Sequence, residues 1–195
     1  MKKPARTPTG KAASKSKAKQ TTRSKPAATK AARRPAAKTT RKGPAPIPAS
    51  TGYWLLKSEP DAFSWDQLVS RGVKGEPWTG VRNFQARNFM KSMRLGDRCF
   101  FYHSNEGLAV VGIAEVCALA HPDDTDDTGK WECVDLKAVT PMPKPVTLAD
   151  VKANPKLAQM SLVTSFRLSV QPVQPDEWAE VCRMGGLDPE KSRPS

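Results

Sequence analysis

The chain has 195 residues and a formal net charge of +13, unevenly divided: residues 1–50 carry 15 Lys and Arg and no acid, and residues 51–195 carry the other 17 and all 19 Asp and Glu. A +15 segment thus precedes a −2 remainder, which excludes delocalised electrostatics as the means by which the remainder binds nucleic acid. No run reaches the ~18 apolar residues of a membrane helix, and no apolar core follows the basic start as a secretory signal requires.

Residues 1–50, rich in Lys, Ala and Pro, contain no aromatic residue, and their only large apolar residues are Met1 and Ile47. Such a segment cannot bury enough apolar surface to offset the entropy of ordering, so it is expected to be a disordered tail, closed by the stiff linker "GPAPIPAS". Its composition is histone-like, and its charge suits sequence-independent binding to the phosphates of DNA or RNA. Residues 51–190 are expected to form one domain, with 191–195 a short C-terminal tail.

"YWLLKS" reads as a first strand. "SWDQLVSRG" reads as a helix with Ser64 as N-cap, Gln67 completing a capping box and Gly72 as the stop. "RNFQARNFMKSMRLGD" places Ala86, Phe89, Met90 and Met93 on one helical face, with Gly96 after the end. "RCFFYHS" is a strand, "NEG" a turn and "LAVVGIAEVCAL" a long strand, in which Gly112 marks a bulge or a close approach. "DDTDDTG" is an acidic loop and "WECVDLKAV" another strand. "TLADVKAN" begins a helix at Thr147, "TSFRLSVQPV" is a strand and "PDEWAEVCRMGG" a closing helix. The central hairpin is antiparallel, so a doubly wound parallel sheet is excluded. The expected class is α+β: a curled mixed β-sheet or barrel with flanking helices.

Cys99, Cys117, Cys133 and Cys182 form no CxxC pair and each lies in an apolar run, the pattern of reduced, buried thiols in a cytosolic or nuclear protein. With two His in the chain, no metal site is expected, and no Gly-rich phosphate loop or other cofactor motif occurs. His103 could serve as a general base near Cys99, but four residues along a strand span about 13 Å, too far for a hydrogen-bonded pair. No catalytic residue is assigned.

"WTGVRN" is the segment of most interest. Trp78 is either core under a loop or the wall of a pocket for a flat ring, since an indole face stacks on any base. Gly80 allows close backbone approach, and Asn83 can donate to and accept from a base edge. Trp54, Trp65 and Trp178 read as packing; Trp131, beside the acidic loop, fits either role.

Taken in order, "YWLLKSEPDAFSWDQL", "WTGVRNFQARNFMKSMRLGDRCFFYHSN", "VVGIAEV" and "RLSVQPV" resemble the EVE domain, a member of the PUA-like superfamily, from about Tyr53 to Gly186. The resemblance implies a PUA-like curled sheet with flanking helices and a non-catalytic reader of a modified base in DNA or RNA. The related YTH domain reads N6-methyladenine in RNA. Its Lys-Ser pair resembles Lys57-Ser58 and its cage tryptophan resembles Trp78. Carried over, Trp78 would stack on the base while Lys57 and Ser58 line the pocket. Val81, Arg82 and Asn83 would form its rim or contact the base edge and a phosphate, and Tyr102, His103 and Ser104 would come from the opposite strand. Arg167 would face the same cleft or a phosphate. A methyl-reading cage needs a second aromatic wall, for which Trp131, Phe84 and Tyr102 are the candidates. The expected partner is DNA or RNA, with no membrane, metal or cofactor, in the cytoplasm or nucleoid, or in the nucleus of a eukaryote. Two alternatives stand: an architectural chromatin or nucleoid protein acting through its tail, and an enzyme acting on a nucleobase or nucleotide.

Overall fold

A computed structural model describes residues 51–194; the expected disordered tail, 1–50, lies outside the described residues. Strand β1 (Tyr53–Ser58) leads into α1 (Trp65–Ser70), a two-residue strand β2 (Glu76–Pro77) and α2 (Phe84–Ser92). Next come β3 (Arg98–His103), β4 (Ala109–Pro122) and β5 (Glu132–Thr147). Short helices α3 (Leu148–Ala153) and α4 (Ser161–Thr164), strand β6 (Val170–Pro172) and helix α5 (Pro175–Met184) complete the order. The sheet runs β2-β5-β4-β3-β1-β6. Only the β1–β3 pair is parallel. The mixed sheet with flanking helices is the expected architecture; β2 and β6 remain separate edges, so the sheet does not close into a barrel.

Central strands β1 and β3 read as unbroken apolar runs because both of their faces are covered. Trp54, Leu56, Cys99 and Phe101 point into one core with Trp65, Leu68, Trp78, Phe89 and Met90. Tyr53, Leu55, Phe100 and Tyr102 point into the other with Trp178, Val181 and Met160. Alternation thus divides Phe101 from Phe100 and Tyr102, as the strand period requires. In the second core Trp178 stacks on Phe100 with centroids 3.9 Å apart and on Tyr53 at 4.7 Å. In the first, Trp54 Nε1 donates to Asp97 at 2.8 Å, which satisfies a donor with no access to water.

The Ser64–Gln67 capping box forms as expected. Helix α1 ends at Ser70, however, and Gly72, at φ +58°, enters a 3₁₀ turn over Gly72–Lys74 rather than stopping the helix. Gly112 meets both of its expectations. The β4–β5 register shifts between Val110 and Gly112, and a Cβ there would lie within 2.5 Å of the Trp65 ring.

Two expectations need correction. Strand β5 continues eight residues past Val139, through Pro141, Pro143 and Pro145. Beyond Leu136 it pairs with β4 alone, so a proline can turn its missing N–H to the unpaired side. Conversely, "TSFRLSVQPV" is extended only at Val170–Pro172. Gln171 Nε2 donates to the carbonyls of Ser165 and Leu168, both at 2.9 Å, and holds the preceding residues in a turn. Of the four cysteines, none is in a disulfide; Cys99, Cys133 and Cys182 are buried and Cys117 is half-buried.

Candidate nucleic-acid interface

At the end of β1, a cavity of about 520 Å³ opens between the loop that follows this strand, α1 and the segment from β2 to α2. That size falls within the range of small-ligand sites. Its wall includes Lys57, Ser58, Phe63, Trp78, Gly80 and Arg82.

Trp78 is core and wall at once. Only 7% of it is exposed, and its ring meets Phe101 edge-on at 5.4 Å and Phe63 at 6.3 Å. Its amide donates to Val134 O at 2.8 Å, which continues the β2–β5 pairing and fixes where the ring enters the cavity. The chain then turns at Gly80, whose φ of +78° favours glycine. A Cβ there would meet no protein atom within 4 Å, so the turn rather than crowding demands this residue.

The turn is held by a residue that the sequence did not single out. Asp123, at the start of the acidic loop, has a side chain 1% exposed. Its Oδ2 accepts from Arg82 Nη1 at 2.7 Å and from the Gly80 amide at 3.0 Å. Its Oδ1 accepts from the Thr125 hydroxyl and amide. Burial pushes the carboxyl up, but the hydrogen bonds from Thr125, Arg82 and Gly80 outweigh it and hold the group down at about 2. Arg82 also donates to Thr125 O at 3.0 Å. The Arg82 guanidinium thus lines the cavity while clamped to the loop.

On the β1 side, Lys57 Nζ donates to Phe166 O at 2.8 Å, and burial lowers its pKa. Ser58 Oγ donates to Phe63 O at 2.7 Å, which folds the loop so that Phe63 reaches the cavity. Phe63 is thus the second aromatic lining residue; Trp131, Phe84 and Tyr102 do not line the cavity. An ion pair between Arg71 and Glu76, at 2.9 Å, borders it as well.

The remaining candidates divide by face. Val81 is buried and lines the cavity. Asn83 is the N-cap of α2, its Oδ1 accepting from the amides of Gln85 and Ala86. Tyr102 lies 2% exposed in the other core. His103 Nε2 accepts from the Trp65 amide at 3.3 Å, and burial lowers its pKa. Ser104 donates its amide to Ser58 O at 2.7 Å and extends the β1–β3 pairing. Arg167 is exposed and lies over the Phe166 ring at 5.5 Å. Asn83, Tyr102, His103, Ser104 and Arg167 do not line the cavity.

Elsewhere a Cys, a His and an Asp converge. His121 contacts Asp135 through Nε2 at 2.7 Å and Pro122 O through Nδ1 at 3.0 Å. Cys133 Sγ lies 3.7 Å from Nδ1 and 3.6 Å from Nε2. With both nitrogens engaged, neither is free to take the thiol proton. Burial, followed by Asp123, Asp135 and Asp124, pushes that thiol up to about 11, so it is protonated at neutral pH.

Comparison with known proteins places this geometry in a family. The EVE domain family model matches residues 52–184. Thymocyte nuclear protein 1 of Mus musculus is 33% identical over 171 residues, covering 71% of this chain and 76% of that protein. A crystal structure of a protein from Agrobacterium tumefaciens is 62% identical with a TM-score of 0.70, covering 73% of this chain and 99% of that one. The human THYN1 protein in complex with 5-methylcytosine-containing DNA is 32% identical with a TM-score of 0.63, covering 68% and 96%.

Proposed function

The chain belongs to the EVE domain family, and on that premise we propose that its cavity accommodates a single modified base of DNA or RNA without acting on it chemically. The observation that carries this reading is the cavity itself: about 520 Å³, walled by Trp78 and Phe63, at the end of β1. The human relative that was crystallised with 5-methylcytosine-containing DNA supports it.

In this reading Trp78 and Phe63 supply the apolar surface on which a base rests, and stacking on an aromatic ring contributes roughly 1–3 kcal/mol per base. Lys57 and Ser58 shape the opposite wall through their contacts with the Phe166 and Phe63 carbonyls. Arg82 acts as a positioning residue, because its guanidinium is spent on Asp123 and Thr125. The +15 segment supplies nonspecific attachment to the polymer, and the cavity supplies selectivity.

The test is binding to matched oligonucleotides, in DNA and in RNA, with plain bases or with 5-methylcytosine, 5-hydroxymethylcytosine or N6-methyladenine. A preference of roughly tenfold, worth about 1.4 kcal/mol, is expected for one modification. Ala62, exposed at the cavity wall, offers a substitution that spares the core: Ala62→Trp fills the space and should abolish the preference. Equal binding to every oligonucleotide would overturn the reading.

A further inference from the structure

Next to the cavity lies an aromatic surface that the base-accommodating reading does not use. Phe84 opens α2 and is 60% exposed. Its ring lies on that of the half-buried Trp131, with centroids 4.8 Å apart and planes 30° from parallel. One turn along α2, the Arg87 guanidinium sits 5.1 Å from the Phe84 ring and 5.9 Å from the Trp131 ring. Arg87 is anchored by its hydrogen bond to Lys130 O at 2.7 Å, and among the described residues it forms no ion pair with a carboxylate. Arg82 joins the two places. It lines the cavity and lies 5.8 Å from the Trp131 ring.

We propose that Phe84 and Trp131, with Arg87 beside them, form a stacking platform for the nucleotide adjacent to the base held in the cavity. The proposal rests on the base-accommodating reading of that cavity. A lone exposed phenylalanine would need no explanation. This one is paired with an indole and flanked by guanidinium planes, the groups on which unpaired bases stack. The helix N-terminus is not the anion site, because Asn83 already caps the amides of Gln85 and Ala86. Nor does phosphate attraction dominate, since Asp124 and Asp127 lie exposed in the neighbouring loop. Stacking carries the contact, and a strand entering the cavity with one base would leave its neighbour over Phe84.

The experiment uses the full chain in roughly 0.3 M salt, where counterion-driven binding is suppressed. The probes are two labelled single-stranded DNA oligonucleotides, each with one 5-methylcytosine; in the second, both neighbouring nucleotides are abasic. Phe84→Ala is expected to weaken binding of the first roughly tenfold and to leave the second unchanged. Arg87→Ala should act in the same direction. Phe84→Ala with no effect on either probe, or an equal effect on both, overturns the platform. Ala62→Trp reports separately on the cavity: it should weaken both probes. If it weakens neither, the cavity reading fails and the platform falls with it. Loss in Ala62→Trp beside an unaffected Phe84→Ala overturns the platform alone.

Discussion

Asp123 and Arg82 meet at 2.7 Å, 41 residues apart in sequence, and the contact ties the acidic loop to the turn that carries Trp78. The same carboxylate oxygen takes the Gly80 amide. Asp123→Asn removes the charge while keeping the shape. It should destabilise the protein by about 1–3 kcal/mol, because the buried side chain at 123 loses its charge-assisted hydrogen bond to Arg82; Arg82 is partly exposed, which keeps the figure below that of a fully buried pair. Arg82→Lys should cost less stability but loosen the turn, since an ammonium cannot span Asp123 and Thr125 together. Urea unfolding measures the first effect, and oligonucleotide affinity at matched stability the second. Asp123 is held at about 2, below the ordinary 3.8. Its contribution is present above the ordinary value and lost as pH falls towards 2.

His121 and His103 respond to pH with opposite signs. The hydrogen bond to Asp135 raises His121 above 6.5, against the effect of burial. Its stabilisation is complete below 6.5 and fades as pH rises through the raised value. Burial lowers His103, whose neutral Nε2 accepts the Trp65 amide. That contact is present above 6.5 and weakens as pH falls through the lowered value. In the wild type the two windows meet at 6.5: the slope below it belongs to His103 and the slope above it to His121. His121→Gln should therefore remove the fall of the melting temperature above 6.5, and His103→Gln should remove the rise below it. Parallel profiles for the two variants would show that these assignments are wrong.

Gly80 and Gly112 are glycines for different reasons, and one substitution tells them apart. Gly80 sits at φ +78° with open space where a Cβ would go. Gly112 has no positive φ, but its Cβ would collide with the Trp65 ring. Asparagine tolerates the left-handed region and adds bulk. Gly80→Asn should cost under about 1 kcal/mol, while Gly112→Asn should cost about 2–4 kcal/mol through displacement of a core tryptophan. Chemical denaturation of both variants decides it; equal losses would mean that bulk also matters at Gly80.

What the sequence could reveal followed from local rules. The Ser64–Gln67 spacing is a capping box because both partners lie within one turn. Alternation in "FFY" puts Phe101 and Tyr102 on opposite faces because successive side chains of a strand point to opposite sides. Contacts between distant loops carry no such signature. "DDTDDTG" is visible as an acidic loop, but nothing local says that its first carboxylate reaches back to Gly80 and Arg82. Phe63 lacks a signal too: its place at the cavity depends on the bond from Ser58 to its own carbonyl. Proline misled in the opposite direction. Three prolines argue against a strand unless the sequence shows that one side of β5 is unpaired, and pairing is a property of the sheet.

The charge division leads to the last prediction. Neutralising each phosphate on duplex DNA releases counterions and contributes about −0.9 to the slope of log affinity against log salt. Residues 1–50 hold 15 cationic side chains and no acid, whereas the rest is −2. In the domain, Arg82, Lys91, Arg98, Lys137 and Lys156 are already paired with carboxylates. Deleting residues 1–50 should therefore flatten the salt slope and lower affinity for any nucleic acid at low salt. It should leave unchanged the ratio of affinities for modified and plain oligonucleotides, because that ratio belongs to the cavity. Titrations of both forms across a range of salt concentrations measure the two quantities independently. A deletion that abolishes the ratio along with the slope would place selectivity in the basic segment and leave the cavity without the role assigned to it.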